Sequence, residues 1–334
     1  MEKPAWLVEI RRFEKIDDLR ALWGLANSVL PYLALFLGMD LCLRFGLPYW
    51  LVLVLAFPAA GFLVRTFIIL HDCGHYSFSR NVRINAVVGY FCGVLTFNSF
   101  PDFRRSHAIH HATVGNLDKR GVGDVWTMTL EDYRRARPGT RALYRFVRNP
   151  FILFLVLAPL DFLVLARFWH GYSRRSDKIG TMATNLAILA MVLLGGFGLG
   201  FGRYVAIQLP VMYIASVTGV WLFYIQHQFQ GVYWVRSKDW DQIKASLLGS
   251  SFYDLPPLLR WFTGNIGFHH VHHLDPRIPN YMLKECHEAV PEARAIKPIG
   301  LVAGFKSLSL QLYDEEKGGL ISFREARERL RGRA

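Results

Sequence analysis

Residues 49–75 read YWLVLVLAFPAAGFLVRTFIILHDCGH. The first part, 49–70, is an apolar run of the length a helix needs to cross about 30 Å of hydrocarbon. It passes directly into His71-Asp72-Cys73-Gly74-His75, which sets two imidazoles at i and i+4 on one helical face. The segment therefore predicts a transmembrane helix that leaves the membrane carrying a pair of candidate metal ligands.

Three further stretches have membrane length, at 25–45, 184–201 and 205–226. Two weaker ones, 84–98 and 151–168, are short or interrupted; Pro159 and Asp161 fall within the second, where a buried carboxylate is expensive. Composition agrees with a membrane chain: 52% of the 334 residues are apolar and only 19% charged, against roughly 25% in soluble domains. The net charge of +13 raises the question of nucleic acid, but its placement answers otherwise. Arg104, Arg105, Lys119, Arg120, Arg134, Arg135, Arg137, Arg141, Arg145 and Arg148 crowd one region, and Arg167, Arg174, Arg175 and Lys178 another. The turns near 45–50 and 203 are almost uncharged. The positive-inside rule then assigns both termini, 71–183 and 227–334, to the cytoplasm, and any one of these basic residues reads best as solvated. The four cysteines have no paired spacing and read as reduced thiols. Met1–Trp6 and the residues up to Ile16 offer no continuous apolar stretch for a cleavable signal.

The remaining histidines follow the same logic. His107-Ala-Ile-His110-His111 and His269-His270-Val-His272-His273 each offer imidazoles at i, i+3 and i+4, and His227 stands at the cytoplasmic end of the fourth run. His270 points about 100° away from the shared face and is excluded. His170 and His287 read as interfacial or solvated. Eight or nine imidazoles exceed what one ion holds, so two metals are implied, and imidazole suits iron, copper, zinc and nickel. One site also demands that 84–98 and 151–168 do not cross, since either crossing alone would put the histidines on opposite sides. Four crossings result. No Glu-x-x-His pair points to a carboxylate-bridged bundle.

The order His71-x-x-x-His75, His107-x-x-His110-His111, His269-x-x-His272-His273, with its placement beside the apolar runs, resembles the membrane fatty acid desaturases over residues 25–300. The first box has three intervening residues, as in the acyl-lipid delta-12/omega-6 group, whereas animal and yeast acyl-CoA delta-9 enzymes have four. Tyr224-Ile225-Gln226-His227 and Lys297-Pro298-Ile299 are similar to segments of the same group. The resemblance implies an all-α fold: one integral-membrane domain over 1–334, with four transmembrane helices in two hairpins under a cytoplasmic helical cap. It implies that His71, His75, His107, His110, His111, His227, His269, His272 and His273 ligate two iron ions. The sequence departs at Phe223, where the acyl-CoA enzymes have an asparagine that holds a water on the metal. Asn265 is available for such a role or as a helix cap beside Gly264. Asp72 and Asp275 could orient imidazoles, or be solvated or capping.

The implied activity is O2-dependent desaturation of a lipid acyl chain in the bacterial inner membrane or endoplasmic reticulum. No nucleotide fingerprint, fused heme motif or iron–sulfur spacing is present, so electrons must come from an external donor, ferredoxin or cytochrome b5, docking on the basic face. A hydroxylase, acetylenase, conjugase or carotenoid ketolase on the same scaffold has the same ligands. A metal transporter predicts polar spans, yet Asp40 is their sole acidic residue. A membrane zinc hydrolase needs fewer imidazoles.

Overall fold

The computed structural model describes residue 4 and residues 6–332; most of the Met1–Trp6 stretch lies outside the described residues. Among the described residues, five helices are long and apolar enough to cross a membrane: Asp18–Arg44 (α1), Tyr49–Gly74 (α2), Pro150–Arg167, Arg175–Leu199 and Phe201–His227. Between α2 and the third come two shorter helices, Val82–Leu95 (α3) and Phe100–Thr113 (α4). In chain order Pro150–Arg167 is then α5, Arg175–Leu199 α6 and Phe201–His227 α7, and the short His269–Leu274 is α8.

The carboxylate of Asp17 caps α1 by accepting from the amides of Leu19 and Arg20 at 3.0 and 3.1 Å. α1 turns back into α2 through Gly46 at φ +66°, and α6 into α7 through Gly200 at φ +93°, conformations that suit glycine. Each pair is an antiparallel hairpin. Ala56, Ala59 and Ala60 on α2 are fully buried against Tyr32 and Met39 of α1 and Ile207 and Val211 of α7. Small side chains let the three backbones close up, the usual basis of helix packing in lipid. The outward faces keep Leu30, Leu37, Phe57, Leu186, Phe197 and Leu209 exposed, as lipid-facing helices do. Asp40, buried within α1, meets Arg44 of its own helix and Arg203 of α7 at 3.5 Å, so the acidic residue is paired near the hairpin turns.

Four structural findings depart from the sequence reading. The weak stretch 151–168 is helical almost throughout as α5, with a π-helical segment at Leu153–Leu157, and is long and apolar enough to cross, which makes five such helices among the described residues against the four expected. The helices overrun the apolar stretches, because α1 and α6 continue through polar residues at their histidine-proximal ends. Among the described residues, five strands of two or three residues add two small sheets to the expected all-α fold. Met128–Thr129 (β1) lies parallel to Leu312–Asp314 (β4), which is antiparallel to Gly319–Ile321 (β5). Phe252–Tyr253 (β2) pairs parallel with Pro298–Ile299 (β3). Finally, several arginines of the basic region are not solvated. Arg105 pairs with buried Asp177 of α6, and Arg148 is buried, donating to Gln228 and to the Leu310 carbonyl at 3.0 Å each. These contacts tie α4 to α6, and Arg148 to the chain just after α7 and to Leu310.

Candidate metal centre

The C-terminal ends of α2 and α7 lie at the same end of the bundle, and the histidines gather there. His71, His75, His107, His111 and His272 form one group; His110, His227, His269 and His273 form another. Within each group the available ligand atoms lie within 4.8 Å of one another. All nine histidines expected as ligands are thus brought together, while His270 joins neither group.

Helical geometry explains the sorting. His107 and His111, one turn apart on α4, enter the first group, while His110 points about 100° away from His111 and enters the second. On α8 the pattern is exchanged: His269 and His273 enter the second group and His272 the first. The second and third boxes therefore each reach both groups, while the first box serves one alone; the rings of His111 and His273 stack across the two groups at 4.1 Å.

The spacing of nitrogens tests whether metal fits. In the first group Nε2 of His107 is 2.9 Å from that of His71 and 3.1 Å from that of His111, which is 2.9 Å from that of His272. In the second, Nε2 of His227 is 3.0 Å from those of His110 and His269, and the His269–His273 separation is also 3.0 Å. Two nitrogens each about 2.1 Å from one ion at a right angle would be about 3.0 Å apart, against about 3.4 Å at a tetrahedral angle. Edges of this length are those of nitrogens that share one ion, so each group is metal-sized. Nε2 of His75 is buried without a hydrogen-bond partner, as expected of a nitrogen reserved for a metal. Burial above all, and then the neighbouring imidazoles, push His75, His107, His111, His269, His272 and His273 well below the ordinary histidine range. They are neutral at physiological pH, the state that can donate a lone pair.

The three supporting residues expected from sequence have other main partners. Asp72 Oδ2 accepts from the Asn280 amide and side chain at 3.0 and 2.8 Å; its Oδ1 is 3.6 Å from His71 Nδ1, beyond a good hydrogen bond. Asp275 accepts from the Arg277 amide and guanidinium, and no histidine hydrogen-bonds to it. Asn265, at φ +58°, donates to the Asn280 carbonyl at 3.1 Å and shapes the turn before α8. Asn280 thus ties the end of α2 to that turn, a role hidden in the sequence. At Phe223, the ring lies 5.5 Å from those of both His110 and His227, so α7 presents carbon there.

Two imidazoles have outer partners the sequence did not disclose: His227 Nδ1 faces the Gly249 carbonyl at 3.1 Å, and His110 Nδ1 faces Asp124 at 3.0 Å. Asp124 stands in Gly121-Val122-Gly123-Asp124, a glycine-rich turn just after the second box, which is the signal that marks it. His287 is buried, not solvated, because Phe252 and Phe268 pack on its ring and its Nδ1 meets His270 Nε2 at 3.0 Å. His170 is half-exposed, yet its Nδ1 lies 2.8 Å from buried Asp102.

Comparison with known proteins follows the same line. The profile of the family described as fatty acid desaturase matches residues 48–299. A "Fatty acid desaturase" of Bacillus subtilis is 41% identical over 95% of this chain and 89% of its own length. An "sn-1 oleoyl-lipid 12-desaturase" of Picosynechococcus is 26% identical over 73% of this chain and 70% of its own. An "Omega-6 fatty acid desaturase, chloroplastic" of Arabidopsis thaliana is 25% identical over 83% of this chain and 60% of its own. The chain belongs to the fatty acid desaturase family and is an enzyme of that family.

Proposed function

We propose that the enzyme inserts a double bond into the acyl chain of a membrane lipid, at two iron ions held by the five-histidine and four-histidine groups. The carrying observation is that all nine imidazoles of the three boxes and α7 converge in two metal-sized groups. The reaction consumes O2, two electrons and two protons, removes one hydrogen from each of two adjacent methylenes, and releases two waters. Iron supplies that oxidising chemistry when bound. The chain supplies the rest. Two of its helices, α4 and α8, each present imidazoles to both groups and so fix the groups relative to one another. Phe103 stacks on His107 at 5.1 Å and meets Phe67 edge-on at 5.2 Å, while Phe223 covers His110 and His227. These rings set an apolar wall beside the centre, suited to orienting methylenes and excluding water.

Four crossings support one site. His107, His110 and His111 precede α5, and His227 and α8 follow it, with the α6–α7 hairpin between. If α5 crossed completely, the groups could not form on one face. We therefore place α3 and α5 at the interface or dipping into the bilayer, the centre on the cytoplasmic side, and the chain as one membrane domain. Electrons come from a separate donor, ferredoxin or cytochrome b5, at the basic cap. The name "sn-2 acyl-lipid omega-3 desaturase (ferredoxin), chloroplastic" of an Arabidopsis relative favours a ferredoxin. Delta-12/omega-6 regiochemistry rests on the three-residue spacing of the first box and on the 12- and omega-6 relatives.

Expression in a host lacking polyunsaturated lipids, with double-bond mapping of its fatty acids, tests this reading. A new double bond at the 12 position is expected. A bond elsewhere refutes the regiochemistry; hydroxylated chains, or no new bond with metal and donor supplied, refute desaturation.

A further inference from the structure

The two histidine groups differ in what stands behind them. Among the described residues, one carboxylate is within hydrogen-bond distance of a ring in either group: Asp124 Oδ1, 3.0 Å from His110 Nδ1. In the same four-histidine group His227 is backed by a neutral carbonyl, and the Nδ1 atoms of His269 and His273 are buried without partners. Behind the five-histidine group, Asp72 is turned to Asn280, and His71 Nδ1 has no partner.

The loop that delivers Asp124 is built for the purpose. Gly121 and Gly123 have φ of +116° and +66°, where L side chains are strained. A Cβ at Gly123 would stand 3.1 Å from His110 Cβ, so this glycine lets the backbone lie against α4. The Gly121 amide donates to Asp124 Oδ2 at 3.2 Å, which leaves Oδ1 aimed at the imidazole. The carboxylate also lines a cavity of about 260 Å³ shared with Asn116, Trp126 and His227, and about a quarter of its side chain is exposed. A substitution of the same size there removes no core packing.

We infer that Asp124 is a positioning residue for the four-histidine ion: it holds the proton of His110 on Nδ1 and directs Nε2 to the metal. Nε2 of His110 lies 3.0 Å from that of His227, inside the group, so only the Nδ1–H form can serve. A carboxylate partner fixes that tautomer and makes the ring a stronger donor. The two ions are thereby inequivalent, with negative charge placed behind one alone. This rests on the two-iron reading above.

The test uses full-length protein in detergent or nanodiscs, loaded with ⁵⁷Fe, as wild type, Asp124→Asn and Asp124→Ala. Asparagine keeps the shape and one acceptor oxygen but loses the charge; alanine loses both. Chelator competition should show one of the two irons held about 10- to 100-fold more weakly in Asp124→Ala, with a smaller loss in Asp124→Asn. Mössbauer spectra should show one iron signal shifted or lost and the other retained. Wild type with fewer than two irons overturns the two-iron reading itself. Wild type with two, and an Asp124→Asn spectrum and iron affinity identical to it, overturns the role of Asp124 alone. Equal weakening of both irons in Asp124→Asn also overturns it, since the effect would then be on the fold.

Discussion

His110→Ala is expected to abolish turnover, with at least about a 100-fold loss, while the chain still inserts in the membrane. The loss of an inner imidazole should exceed the 10- to 100-fold typical of outer partners. His110 contributes one of four nitrogens to its group and touches His227 directly. It lies on α4, outside the helices of membrane length, so its removal leaves the hairpins intact. Fatty-acid analysis of membranes with matched protein levels is the measurement, and iron per chain should fall in parallel. His170→Ala is the contrast: this ring belongs to neither group, and the variant should keep its iron. Retained turnover in His110→Ala would remove that residue from the centre.

The second large effect comes from a residue with no chemistry. In Gly267→Ala the new Cβ would stand 2.4 Å from the Tyr253 carbonyl oxygen, a backbone atom that cannot swing aside. The Tyr253 amide donates to the Gly267 carbonyl at 2.8 Å, and Phe252 bridges Phe268 one residue further on. This close pairing carries the third box, whose first imidazole follows at His269. Overpacking of this kind costs about 1–3 kcal/mol, and relief by shifting the strand would displace ligands of both groups. We expect iron content and activity to fall at least about tenfold, with a lower Tm. Gly300→Ala, where nothing lies within 4 Å of the added carbon, should match wild type. Normal iron binding in Gly267→Ala would mean that the third box does not depend on this pairing.

Much of the site can be read from the sequence because its information is local. The i, i+3, i+4 spacings of the second and third boxes are properties of single helices, and His227 announces itself at the end of an apolar run. The exclusion of His270 rests on the same rotation per residue. The division between groups is different. It needs the relative placement of α4 and α8, which exchange the roles of their i+3 histidines, and no spacing specifies that. The supporting residues are also long-range. Asp72 and Asp275 sit beside histidines in sequence, yet their carboxylates go to Asn280 and Arg277, the one distant and the other two residues on. Asp124 is fourteen residues from the ring it meets and reaches it only through two glycines in left-handed conformations. The short strands escape notice for a similar reason: two- or three-residue pairings over distances such as Met128 to Leu312 leave no periodic trace. The arginines illustrate the reverse error. Charge density marks the basic segments, but it does not reveal that Arg105 meets a buried carboxylate on α6.

The most direct test of the account is the metal content of the purified, iron-loaded enzyme together with its Mössbauer spectrum. Two irons per chain are expected, in two distinguishable nitrogen-rich environments. A single ion per chain, or tetrahedral zinc in place of iron in active enzyme, would contradict it.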